Sequence, residues 1–114
     1  NKMNPTRRKE LMEQYKQRKI VGGIYRIRNT VTGHTYVDWD EDLQGVENRH
    51  RFSVSTNTCI LPEMREDWLA HGAASFVMER LDEMEKAAEQ TREEFIADLQ
   101  TLYEIWCEKN TIPK

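Results

Sequence analysis

The stretch GIYRIRNTVTGHTYVDWDED, residues 23–42, holds two phenols and four carboxylates around a turn. Tyr25 stands on one side of the turn and Tyr36 on the other. A phenol hydroxyl both donates and accepts a hydrogen bond, so a facing pair can keep a binding role. The same pair also stabilises a bare hairpin, by a few tenths to about 1 kcal/mol. Asp38, Asp40, Glu41 and Asp42 offer the hard oxygen ligands that Mg²⁺ favours. That run equally suits the start of a helix, with Asp40 as N-cap and acids in the first turn. Arg49 and Arg51 are the next cations along the chain. His34 reads as a turn residue, and His50 and His71 read as helix-surface residues rather than ligands.

Several elements must position these groups. Pro5 and Thr6 start a helix through PTRRKELMEQYKQRK, and its apolar stripe of Leu11, Met12 and Tyr15 predicts docking by one face. Ile24–Asn29 is a strand by its β-branched and aromatic content. Gly33 suits the left-handed position of a hairpin loop, and His34–Asp38 returns as the second strand. Residues 41–52 favour a helix, weakened by Gly45 by about 1 kcal/mol against alanine. The polar SVSTNTC that follows reads as a loop. LPEMREDWLAHG is a helix with Pro62 in its first turn and Gly72 past its end, carrying Leu61, Met64, Trp68 and Leu69 on one face. SFVMERLDEM is a third strand. Thr91 and Glu94 form a capping box for a last helix. Its stripe of Phe95, Leu99, Leu102 and Trp106, with Ile96 and Tyr103 beside it, belongs to a core. The order predicts an α/β (α+β) domain, a small antiparallel sheet covered by helices.

The chain has 114 residues, 38% hydrophobic and 32% charged, which fits one soluble globular domain able to bury a core. No apolar run approaches the roughly 20 residues that cross a membrane, and no apolar h-region follows the basic N-terminus. Cys59 and Cys107 make neither a disulfide framework nor a zinc site; they read as reduced thiols of a cytoplasmic protein. The net charge of −3 is unevenly spread. The first nineteen residues carry +5 and the remainder −8. An acidic body is a poor footprint for nucleic acid, so only the N-terminal segment, with Arg7, Arg8 and Lys9, looks attractive to phosphate.

The hairpin resembles that of the GIY-YIG nuclease family. Gly23-Ile24-Tyr25 and the later Tyr36-Val37-Asp38 fall where the family's two motif halves fall. DWLAHGAASFVMERLDE resembles the segment that leads into the family's third strand, and LYEIWCEK resembles its last core helix. The resemblance covers about residues 22–109. It implies a three-stranded antiparallel sheet flanked by helices, with residues 1–21 as an added basic helix before a domain of residues 22–114.

The resemblance also implies a set of site residues. Tyr25 matches the tyrosine that activates water in phosphodiester hydrolysis, and Tyr36 the one that orients phosphate or water. The motif's final glycine is Asp38 here. The family's arginine position falls on Val46, with Arg49 nearly a turn further along as a candidate replacement and Arg51 beyond it. A histidine often found in the next loop falls near Cys59. The glutamate that holds one divalent metal falls on Tyr103, with Glu104 one step off. Such a reaction needs positive charge against a pentavalent phosphorus, and losing one such group costs about 10²- to 10³-fold in rate.

The pattern is similar to a degenerate subgroup associated with bacterial transcriptional regulators. It leads to the expectation of a binding or regulatory module needing no cofactor. One alternative is an active endonuclease with a relocated site, using Mg²⁺ or another divalent metal with Arg49 and Glu104. Another is a protein-interaction or homodimerisation module, joined through residues 5–17 or the aromatic hairpin.

Overall fold

The computed structural model describes residues 4–16 and 19–110, apart from the side chains of residues 14–16. A helix α1 (Pro5–Lys16) precedes the hairpin of β1 (Val21–Asn29) and β2 (Thr35–Asp40). Then come α2 (Leu43–Thr56), a short 3₁₀ turn (Pro62–Met64), α3 (Arg65–His71), β3 (Phe76–Glu85) and α4 (Arg92–Lys109). The sheet is antiparallel throughout, in the order β2-β1-β3. This is the three-stranded sheet flanked by helices that the GIY-YIG resemblance implies.

The central strand runs from Val21, three residues before the expected start, and buries most of its length. Gly23 opens it under two constraints. Its φ is +152°, and a Cβ there would lie 2.0 Å from the Asp82 carbonyl oxygen. A side chain at that point would hold β1 and β3 apart just before the bulge at Ile24/Tyr25. The hairpin closes as expected around Gly33, whose φ is +79° and whose amide donates to the Asn29 carbonyl.

One core joins Tyr25 and Ile27 of β1 to Leu43 and Val46 of α2, then to Met64, Trp68 and Phe76. Trp68 and Phe76 stack with ring centroids 5.0 Å apart, a contact worth about 0.5–1.5 kcal/mol beyond the area it buries. Helix α4 closes against the strands through buried Phe95, Leu99 and Cys107. Leu99 comes so near β1 that a Cβ on Gly22 would sit 3.0 Å from its Cδ1. The Thr91–Glu94 capping box forms as expected.

Four local expectations give way. The N-cap of α2 is Asp42, which accepts from the Gly45 amide; Asp40 instead ends β2 and accepts from the Asp42 amide. The polar run after residue 52 stays helical to Thr56. Ser53, Ser55 and Thr56 turn their hydroxyls back onto helix carbonyls, and Asn57 stops the helix at φ 56°. Leu69 faces outward, 73% exposed, while Met64 and Trp68 face the core. In α1 the side chains from Asn4 to Glu13 are exposed except half-buried Leu11, so the expected docking face is not engaged there; the Tyr15 side chain lies outside the described residues.

Candidate functional site

The strand register decides how the two tyrosines meet. Tyr25 stands opposite Asp38, and Tyr36 stands opposite Ile27. The phenols therefore share a face of the sheet as diagonal neighbours, not as the directly facing pair the hairpin suggests. Tyr25 is buried, 4% exposed, and forms part of the core. Tyr36 is half-buried; its hydroxyl donates to Asp67 Oδ2 at 3.2 Å and its ring meets the edge of His34.

Carboxylates surround both phenols. Burial lifts the Tyr25 hydroxyl well above the ordinary tyrosine value of 10, and Asp38 and Asp40 lift it further. Arg49 opposes them, and Glu63 adds to the rise. Tyr36 is raised by burial first, then by the charge and hydrogen bond of Asp67, then by Cys59 and Glu63. Asp38 is itself raised by burial, with its bond from the Trp39 amide pulling down and Glu63 and Asp40 pushing up. Tyr103 of α4 is pushed up to about 12 by burial, then by Cys107, Asp38 and Glu63. Glu63 acts on all four groups, which places them in one electrostatic neighbourhood. At neutral pH these phenols keep their protons, whereas a general base must be unprotonated to accept one.

Val46 and Tyr103, the residues that the resemblance sets where charge is expected, are both packed. Val46 is fully buried in the core beside Tyr25. Tyr103 faces the sheet and donates its hydroxyl to the Val37 carbonyl at 3.3 Å. Arg49 does reach the neighbourhood of Tyr25, but its Nη2 is held 3.0 Å from Asp40 Oδ2. Arg51 lies instead near Glu47, whose carboxyl it helps to lower. Glu104 is not brought to the tyrosines; it is exposed on α4 together with Thr101, Ile105 and Glu108. One residue's step rotates a helical side chain by about 100°, so facing Tyr103 inward turns Glu104 out. Cys59, at the histidine position, donates its thiol to the Leu61 carbonyl. Among the described residues no three His, Cys, Asp or Glu side chains gather in a way that could hold a metal ion.

Sequence reading missed Glu63 and Asp67. Asp67 is the hub of a polar network: it accepts from Asn29 Nδ2 at 3.0 Å and from Tyr36, and lies 3.5 Å from His71 Nε2. Asn29, fully buried, in turn accepts from the amides of Val31 and Thr32 in the hairpin loop. The network ties α3 to the hairpin. The available signal was the i, i+4 spacing of Glu63 and Asp67 in a segment already read as helix. Arg7, Arg8 and Lys9 lie exposed on α1, with Arg7 paired to Glu10.

Two solved structures resemble this chain. It is similar to the catalytic domain of homing endonuclease I-TevI, at 19% identity over 77% of this chain and 86% of that one, with a TM-score of 0.48. It is likewise similar to a point mutant of the catalytic domain of intron endonuclease I-TevI, at 21% identity over 74% and 86%, with a TM-score of 0.46. I-TevI is a GIY-YIG homing endonuclease. No family model and no curated protein matches the chain. Among the described residues no helix is long and apolar enough to cross a membrane.

Proposed function

We propose that this chain is a GIY-YIG-like domain that does not cleave phosphodiesters and acts as a binding or regulatory module. The observation that carries the reading is a substitution of packing for charge. A core valine, Val46, stands at the arginine position, and a hydrogen-bonded phenol, Tyr103, stands at the metal-ligand position. Asp38, Asp40, Glu63 and Asp67 then surround the tyrosines with negative charge. A scissile phosphate brought there meets repulsion where its transition state needs a cation. The missing arginine and metal each account for about 10²- to 10³-fold in rate.

Nucleic acid, on this reading, is contacted by α1 rather than by the tyrosines. Arg7, Arg8 and Lys9 are exposed there, outside the acidic body. Binding through them falls steeply with salt. Replacing the three with glutamine abolishes salt-dependent DNA binding. A folded chain of which that variant binds DNA as well as the parent contradicts this contact.

The test of the inert site is nicking of supercoiled plasmid by the full chain with Mg²⁺ or Mn²⁺. The expected result is no cleavage above a no-protein control. Metal-dependent nicking that disappears in Tyr25→Phe overturns the reading. One observation favours the relocated nuclease, the approach of Arg49 to Tyr25. Its pairing with Asp40 and the outward direction of Glu104 weigh against that version.

A further inference from the structure

A cavity lies away from the phenols, at the start of β1. It encloses about 530 Å³, within the range of small-ligand sites, about 300–1,000 Å³. Its apolar part is Ile20, Val21 and Phe95. Four cationic side chains, Lys19, Arg80, Lys86 and Arg92, line it against two carboxylates, Glu41 and Asp42. In a body that is otherwise strongly acidic, cations outnumber carboxylates in this lining.

The donors there are not all used. Arg80 is consumed by Glu47 and Glu83. Arg92 gives only its Nε to Glu41, at 3.0 and 3.1 Å, which leaves its terminal nitrogens. Lys86 makes one long bond, 3.3 Å, to the Ala87 carbonyl, and its charge also acts on Glu94. Lys19 has no partner among the described residues. Asp42 is already occupied as the cap of α2, and Glu41 by Arg92. The hydrogen-bond donors left over at the cavity therefore belong to Lys19, Lys86 and the end of Arg92, and they sit beside an apolar wall.

We propose that this cavity binds a small organic anion: an apolar body against Ile20 and Phe95, with a single carboxylate or phosphate head held by Lys19, Lys86 and Arg92. Both head groups present oxygens that accept from ammonium and guanidinium donors. An inorganic anion lacks the body and a neutral ring lacks the head, so each alone binds more weakly. The site shares no residue with the tyrosine face and stands independently of the reading proposed for it.

The test is an amide NMR titration of the full chain with phenyl phosphate and with benzoate, with inorganic phosphate and benzyl alcohol as single-feature controls. The expected result is saturable shifts at Val21, Asp42 and Phe95 with one or both aryl anions. The tighter of the two identifies the head group. Each control binds about tenfold or more weakly. Lys19→Gln and Lys86→Gln, both remote from the core, each weaken the aryl anion by about tenfold while the remaining spectrum is unchanged. Shifts that do not saturate, that centre elsewhere, that are equalled by either control, or that survive both substitutions overturn the proposal.

Discussion

The phenol-bearing face and the cavity at the start of β1 are built on one strand, yet their charges are opposite. Around Tyr25 and Tyr36 the nearby ionisable groups are mostly carboxylates, and the one arginine, Arg49, is held by Asp40. Around Val21 the unused groups are cations. The difference teaches where anions can go. On the readings proposed above, a phosphodiester is disfavoured among the carboxylates of the phenol face, and a small organic anion is taken up at the cavity instead.

Restoring a cation to the phenol face is the harshest way to break this contrast. Val46→Arg forces a long charged side chain into a fully buried site, packed with Tyr25 and Leu43 in the core cluster. The expected cost exceeds about 4 kcal/mol and removes the cooperative melt seen by circular dichroism. A variant with the parent's melting temperature would show that Val46 is not the core residue described.

Removing a carboxylate from the same face costs less. Asp67→Ala leaves the buried Asn29 amide and the Tyr36 hydroxyl without their acceptor. A loss of about 1–3 kcal/mol in urea unfolding is expected. It comes with a Tyr36 ionisation that moves down towards the ordinary value, since Asp67 contributes to its rise. Unchanged Tyr36 titration would detach Asp67 from the site.

Tyr103→Phe removes the hydroxyl that donates to the Val37 carbonyl and interacts with Cys107. The effect expected is about 0.5–1.5 kcal/mol, read as a fall of several degrees in Tm. Smallest of all is Lys86→Gln on the cavity side, which changes stability by no more than about 0.5 kcal/mol. A large loss there would mean that Lys86 supports the fold rather than a ligand.

The sequence spoke clearly wherever a signal was local. The Thr91–Glu94 box set the start of α4, Gly33 the hairpin turn, and Gly72 the end of α3. It was silent where partners are distant in the chain. Asn29 and Asp67 are 38 residues apart and meet only because α3 folds back on the hairpin. Loop length, not residue type, set the register that puts Asp38 rather than Tyr36 opposite Tyr25. The helical continuation through Thr56 hid behind Ser and Thr, whose hydroxyls serve loops and helices alike. The tyrosines of the site were legible, since Tyr25 and Tyr36 stand on the two strands of a hairpin read from local signals. Its acidic surround was not, since Glu63 reaches the phenols only through tertiary packing.

The electrostatics of the phenol face can be read from one atom. The Cζ resonance of ¹³C-labelled Tyr25 follows ionisation of its hydroxyl. All three described core-facing phenols, Tyr25, Tyr36 and Tyr103, are raised above the ordinary value of 10. Folded protein then holds protons that the unfolded chain gives up, so stability is full below pH 10 and declines as the pH rises beyond it. The account predicts a Tyr25 Cζ shift that stays flat through pH 10 in the folded chain. A folded-state titration below pH 10 would contradict it, because only a dominant positive charge, from an arginine or a bound metal, could draw a buried phenol that way.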